Sequence, residues 1–184
     1  TYDPDREIVT GRGNLSFTSI NLPRLAIKAD HNVGAFFDML DEMMDLTIEQ
    51  LMHRFKIQAQ KKARNFPFLM GQGVWIDSDN LGPDDYVGEI LKHGTLSVGF
   101  IGLAETLKAL IGKHHGEDEE ARELGLEIIT AMRNRLDEES KRTGLNFSLL
   151  ATPAEGLSGR FVRMDAKKYG IIKGVTDRDY YTNS

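Results

Sequence analysis

The chain has 184 residues, 40% hydrophobic and 28% charged, with a formal net charge of −5 at pH 7 and no cysteine. This length and balance fit one globular domain with a sizeable core, and the negative charge argues against a general nucleic-acid surface while allowing a local phosphate site. The missing thiols remove disulfides, thiolate metal sites and thiol nucleophiles from these residues, and no apolar run is long enough to span a membrane. The chain opens at Thr1-Tyr2-Asp3-Pro4 without Met or a signal-like start and stops at Tyr180-Tyr181-Thr182-Asn183-Ser184, so a piece of a longer protein is expected.

Residues 1–13 are polar and rich in turn formers. A strand is predicted from Gly13 to Leu22, where Leu15 and Phe17 alternate with Ser16 and Thr18, and Pro23 ends it. Val33, Phe36, Phe37, Leu40, Met44, Ile48, Leu51 and Phe55 recur at helical spacing and predict one long helix over 32–63. Lys61, Lys62 and Arg64 complement its negative end. Met39, Met43, Met44 and Met52 on that helix read as core packing. Residues 65–83 read as a loop with a short strand near 73–76, followed by a short helix over 84–92 and a buried strand over 95–101. Gly102 opens a helix carrying Leu103, Leu107, Leu110 and Ile111, and Gly112 closes it. A further amphipathic helix covers 117–142 with Leu124, Ile128, Met132 and Leu136 inward and Gly144 just past its end. A strand over 145–150 and a helix over 153–168 complete the pattern. Strands alternate with long helices, so the class is α/β with largely parallel pairing. No internal repeat, low-complexity tract or linker interrupts it.

Several features have ordinary readings. His114-His115 lies in a turn between helices, where adjacent side chains diverge and no second ligand pair is spaced to help, so a solvated loop is favoured over a metal site. His53 is a helical surface residue, His31 stands at a helix start, and His93 packs or caps ahead of the strand at Gly94. Asp77-Ser78-Asp79-Asn80-Leu81-Gly82 opens like a calcium loop, but Leu81 and Gly88 stand where oxygen ligands are needed. It reads as an acidic turn. Gly11-Arg12-Gly13-Asn14 precedes a strand, whereas nucleotide-binding glycine loops follow one, so a tight turn is the better reading. Asn21, a polar amide at the end of an apolar strand, either faces a site or caps loose backbone groups.

The densest local signal is Leu149-Leu150-Ala151-Thr152-Pro153-Ala154-Glu155-Gly156-Leu157-Ser158-Gly159, a strand running into a helix. Thr152 as N-cap, Pro153 in the first turn and Glu155 three after the cap compose a capping box. A helix start at the end of a buried strand aims backbone N–H groups at one spot, as phosphate sites do; a well-capped helix without a ligand is the plain alternative. Gly156 and Gly159 each cost about 1 kcal/mol in a helix relative to Ala, which makes sense if something bulky approaches. Glu155 is expected to face a sugar or to serve the cap.

Four segments together resemble the anaerobic (class III) ribonucleoside-triphosphate reductases. They are Gly11-Arg12-Gly13-Asn14 with Thr18-Ser19-Ile20-Asn21-Leu22-Pro23-Arg24; the run from His93 to Glu105; Ala151-Thr152-Pro153-Ala154-Glu155-Gly156-Leu157; and the run from Gly174 to Ser184. The resemblance implies that residues 1–184 are a single fragment of a ten-stranded α/β barrel of the glycyl-radical enzyme and ribonucleotide reductase type. It implies an ATP-binding, cytoplasmic oxidoreductase of deoxyribonucleotide biosynthesis and DNA replication. In that family a glycyl radical generates a thiyl radical on a finger-loop cysteine. The thiyl takes the 3′-hydrogen of a ribonucleoside triphosphate, the 2′-hydroxyl leaves, and formate commonly supplies the electrons.

The finger-loop cysteine is expected upstream of this chain, and the radical glycine and a structural four-cysteine zinc site downstream. The fragment alone is then inactive, with no catalytic residue, cofactor or metal of its own. The parent is expected to bind nucleotide effectors and to work as a homodimer with a radical-SAM activating enzyme, with no membrane or nucleic-acid partner. By residue match, Asn21 corresponds to an active-site asparagine suited to a ribose hydroxyl, and Glu155 to a glutamate near the ribose. Thr152, Ala154, Gly156 and Ser158 lie in the turn and helix start that receive substrate phosphates. A pyruvate formate-lyase-type glycyl-radical enzyme and a non-enzymatic phosphate- or nucleotide-binding module are the alternatives.

Overall fold

The structure is a computed structural model that describes residues 5, 6 and 9–183. The predicted turn-rich start falls partly, and the chain ends at Thr1–Pro4 and Ser184 fall wholly, outside the described residues. The elements in order are β1 (Asn14–Asn21), α1 (Leu22–Ala29), α2 (Val33–Ala59), two short 3-10 turns (Ala63–Asn65 and Ser78–Asn80), α3 (Gly88–Leu91), β2 (Thr95–Ile101), α4 (Leu103–Ile111), α5 (Glu119–Thr143), β3 (Asn146–Ala151) and α6 (Glu155–Tyr169). The three strands form one sheet in the order β1-β2-β3. Its hydrogen bonds fix the strand directions. At the amino ends, the Thr95 N–H donates to the Gly13 carbonyl at 3.0 Å; at the carboxyl ends, the Thr152 N–H donates to the Phe100 carbonyl at 3.1 Å. Like ends meet, so the pairing is parallel, as the alternation of strands and helices predicts.

The chain forms two compact units. The first comprises Thr1–Thr18, Ile48–Ser97 and Leu136–Ser148, the second Ser19–Thr47, Val98–Arg135 and Leu149–Ser184. The first unit buries Leu51, Phe55, Trp75, Val87, Leu96 and Leu136. The short strand expected near 73–76 is absent there. Gly73 at φ +65° and Asp77 at φ +62° are both left-handed, which breaks an extended ladder on either side of Trp75. The segment instead coils around that indole, whose Nε1 donates to the Ile90 carbonyl at 2.8 Å while Ser78 Oγ donates to the Trp75 carbonyl at 2.5 Å. The helix expected over 84–92 shrinks to α3, because Gly82, Pro83 and Asp84 are used in a turn closed by the Asp85 carboxylate on the Gly82 N–H at 2.7 Å.

The second unit is built on Ile101, Val162, Val175 and Tyr181, with Ile27, Leu157, Phe161 and Ile172 packed around them. Its helix α1 was not anticipated. Pro23 ends β1 as expected, but it also suits a first helical turn, and Asn21 supplies the cap. α1 buries Leu22, Leu25, Ala26 and Ala29 and packs against α4. Gly102, at φ +84°, opens α4 and lies so close to Pro23 that a Cβ would overlap the ring. Gly144, at φ +71°, ends α5 as predicted. Of the four methionines assigned to core packing, only Met44 is fully buried; the others are half-covered along the flank of the apolar stripe.

Candidate active-site wall

In the second unit the carboxyl ends of β1, β2 and β3 carry the candidate site, the position at which parallel α/β sheets present ligand-binding groups. β1 ends on Asn21. Its Oδ1 accepts the Arg24 N–H at 3.2 Å and so caps α1, while its Nδ2 donates to Asp165 Oδ2 at 2.8 Å. Of the two readings of Asn21, the cap is the one seen here, and the amide nitrogen is held by Asp165 of α6.

Asp165 is the hub. Its side chain is completely buried, and its carboxylate accepts from Arg24 Nε at 2.6 Å, Asn21 Nδ2 at 2.8 Å and Tyr181 OH at 3.0 Å. A buried carboxylate is tolerated only when its lone pairs are matched in this way. Burial first, and the negative charge of Asp165 second, push the Tyr181 phenol above its ordinary range, so it stays a neutral donor.

The junction after β3 differs from the capping box read in the sequence. The N-cap of α6 is Ala154, and no side chain caps it. Thr152 is buried, and its hydroxyl pairs with Ser19 Oγ of β1 at 2.8 Å, across β2. Gly99 of β2 makes room for this pair: a Cβ there would overlap Thr152 Oγ1 and come within 2.8 Å of Ser19 Oγ. The first backbone bond of α6 runs from the Ser158 N–H to the Ala154 carbonyl at 2.9 Å. The N–H groups of Glu155, Gly156 and Leu157 precede it, as at any helix start, and carry the positive end of the helix dipole.

The other junction residues divide by burial. Glu155 and Gly156 are exposed, and a Cβ on Gly156 would meet nothing within 4 Å. Ser158 is buried; its Oγ donates to the Glu155 carbonyl at 2.8 Å and accepts from Asn183 Nδ2 at 3.0 Å. Gly159 has a reason within the chain itself, since its Cβ would stand 3.3 Å from the Asp179 carbonyl. Of the two glycines read as room for a bulky guest, only Gly156 faces open space.

The terminal segment is bound to the same unit through Glu105, another fully buried carboxylate. It accepts from the Arg178 guanidinium, from the Thr182 N–H at 3.0 Å and from Thr182 Oγ1 at 2.9 Å. The Gly102 N–H donates to the Thr182 carbonyl at 2.7 Å. Sequence reasoning missed Asp165, Arg24, Tyr181 and Glu105. The signal for Asp165 was legible: Ser158, Val162 and Asp165 share one helical face, and a carboxylate on a buried face needs partners.

Three histidines have partners of their own. In the first unit, His93 is buried with Nε2 3.3 Å from Asp77 Oδ2, whose carboxylate also takes a fork from Arg6 at 2.8 and 3.0 Å. The acidic turn is thus held by a cation. His114 Nδ1 accepts the Gly116 N–H within the loop, and His31 Nδ1 lies 3.1 Å from the Leu110 carbonyl. Among the described residues no group of three or more His, Asp or Glu is placed to hold a metal ion, and no helix is long and apolar enough to cross a membrane.

Comparison with known proteins agrees with this architecture. The family profile described as anaerobic ribonucleoside-triphosphate reductase matches residues 2–184. The anaerobic ribonucleoside-triphosphate reductase of Escherichia coli K12 is 41% identical over 181 residues, covering 97% of this chain and 25% of the relative. That of Enterobacteria phage T4 is 40% identical over 184 residues, covering 97% of this chain and 28% of the relative. The chain thus spans roughly a quarter of the length of the curated relatives it matches. A crystal structure of the anaerobic ribonucleotide reductase from Thermotoga maritima, with citrate in its active site, superposes with a TM-score of 0.70 at 17% identity, over 95% of this chain and 29% of that one. The fold is that of part of the anaerobic ribonucleotide reductase barrel. On the match across residues 2–184, this chain belongs to the anaerobic ribonucleoside-triphosphate reductase family.

Proposed function

We propose that this chain, a single fragment of a catalytic barrel domain, forms part of its substrate wall, in a protein that reduces ribonucleoside triphosphates to deoxyribonucleoside triphosphates. The observation that carries the reading is the location of Asn21 and the Thr152–Ser158 junction at the carboxyl ends of β1 and β3, within one compact unit. In this reading the exposed N–H groups at Glu155 and Gly156 receive substrate phosphate oxygens, with the helix dipole favouring the negative charge. The Asn21 amide hydrogen-bonds a ribose oxygen. Glu155, exposed at the same helix start, faces the sugar side so that its carboxylate does not oppose the phosphates. Thr152 and Ser158 act from beneath, because their hydroxyls are already committed to Ser19, the Glu155 carbonyl and Asn183.

The radical chemistry is assigned to residues outside these 184. With no cysteine in the chain, a thiyl carrier has to come from elsewhere in the protein. Glycyl and thiyl radicals, formate as reductant, a structural zinc, nucleotide effectors, a homodimeric assembly and a radical-SAM activating enzyme complete the reading for the whole protein, and family membership supports them. Family membership likewise favours the reductase over a pyruvate formate-lyase-type enzyme. The test is Asn21→Ala in the full-length, anaerobically activated reductase. Loss of the cap and of one hydrogen bond should cost about 1–3 kcal/mol of stability, while turnover falls by roughly a hundredfold. Near-normal turnover would contradict the assignment.

A further inference from the structure

We propose that Asp165 is the positioning residue for Asn21, fixing its amide so that it offers the substrate an N–H donor and not its carbonyl. The inference rests on Asn21 being a substrate-binding residue and deepens that reading by giving the contact a polarity.

An asparagine side chain has two N–H donors and a carbonyl acceptor, and turning it over exchanges them. Here it cannot turn. The Arg24 backbone N–H can only donate, and it faces Asn21 Oδ1 at 3.2 Å. The Asp165 carboxylate accepts, and it faces Nδ2 at 2.8 Å. A flipped amide would set N–H against N–H and oxygen against oxygen, losing both bonds. Asn21 Oδ1 is thereby spent on the start of α1, and one Nδ2 hydrogen is spent on Asp165. The second Nδ2 hydrogen is the donor that remains for a ribose oxygen.

Asp165 can act as this anchor because it cannot move either. It is fully buried, Arg24 Nε holds Oδ1 at 2.6 Å, and the Tyr181 hydroxyl holds Oδ2 at 3.0 Å beside the Asn21 amide. Tyr181 is itself fully buried in the core of the second unit. Asp165 also stands on α6, the helix whose start is assigned to the substrate phosphates. One helix then orients both contacts to the substrate, the phosphates from its first turn and the ribose amide from its buried face.

The experiment uses the full-length activated reductase and measures kcat, KM for a ribonucleoside triphosphate, and melting temperature. Asp165→Asn should lower kcat by about 10- to 100-fold with a smaller change in KM, since misplacement of a contact at the reacting sugar acts on the transition state. The exchange Asn21→Asp with Asp165→Asn can keep every bond of the cluster: both Arg24 donors still meet an oxygen, while the amide–carboxylate bond and the Tyr181 bond reverse direction. It should recover the melting temperature but not the turnover, because position 21 then has no N–H to donate. Recovery of turnover in the exchange variant overturns the proposal.

A milder pair covers the case in which a charge change unfolds the cluster. Tyr181→Phe should lower kcat severalfold in the native background and leave the activity of Asn21→Ala unchanged, the non-additivity expected of groups acting as a unit. Equal loss in both backgrounds, or loss in neither, also overturns it. If Asn21→Ala itself turns over normally, the substrate reading of Asn21 falls. If Asn21→Ala is impaired while Asp165→Asn is not, that reading stands and the positioning role falls.

Discussion

Ser19 and Thr152 join hydroxyls at 2.8 Å in the space left by Gly99, so β1 and the residue after β3 meet across β2. A Gly99→Ala substitution forces the methyl into the Thr152 hydroxyl and against Ser19 Oγ. It should cost about 1–3 kcal/mol, the usual range for overpacking a tight site. A melting temperature equal to that of the native protein would show that the junction has slack.

The Glu105 carboxylate is the principal polar tie of the terminal segment. Glu105→Ala leaves both donors of Thr182 unmatched, while the exposed Arg178 guanidinium stays hydrated, so the cost should be about 1–3 kcal/mol. The loss should be local. Hydrogen exchange at the amides of Gly102 and Thr182 is expected to accelerate strongly in the full-length protein, with the α5 amides little changed. Glu105→Gln, which keeps an acceptor, should lie between the two. Unchanged protection of Thr182 would remove Glu105 from this role.

The acidic turn of the first unit should respond to acid. The Arg6 guanidinium chiefly, opposed by burial and aided by His93, holds the Asp77 carboxyl below its ordinary 3.8. A carboxyl lowered in the folded state contributes stability above its unfolded value, and that contribution fades as pH falls through the lowered folded value. With Asp77 and Arg6 partly exposed, the contribution is at most about 1 kcal/mol. Native protein and Arg6→Ala should therefore differ in protection of the Ser78 amide near neutral pH and converge as the pH falls below the ordinary carboxylate range. A difference that persists undiminished into acid would assign the turn's stability to packing around Trp75 instead.

The strands and long helices were legible because each has an unbroken period. β2 alternates Leu96 and Val98 with Thr95 and Ser97, and α2 and α5 carry stripes whose buried members, Phe36, Met44, Ile128 and Met132, stand where the spacing puts them. α1 was hidden because Pro23 signals a strand end and a helix start equally well. The strand expected at 73–76 failed on left-handed backbone at Gly73 and Asp77, which no side-chain pattern announces. The capping box at Thr152 failed because α6 starts two residues later, with Ala154 as its N-cap, and the Thr152 hydroxyl pairs instead with Ser19, 133 positions away. Asp165 shows in the sequence only as a carboxylate on a buried helical face; its partners Asn21 and Arg24 stand 144 and 141 positions away, so its role as hub does not.

The central claim is that the start of α6 receives substrate phosphates, and Gly156 allows it to be tested without disturbing the fold. A Cβ there meets nothing within 4 Å, and the residue is exposed. Gly156→Ala should stabilise the helix by about 1 kcal/mol, and Gly156→Glu should be tolerated as well, because a carboxylate suits a first helical turn. If phosphates bind there, the added carboxylate repels them. The decisive measurement is KM for a ribonucleoside triphosphate in full-length Gly156→Glu against Gly156→Ala. A rise of roughly tenfold or more in the glutamate variant, at an undiminished melting temperature, is predicted. Equal KM values in the two variants would contradict it.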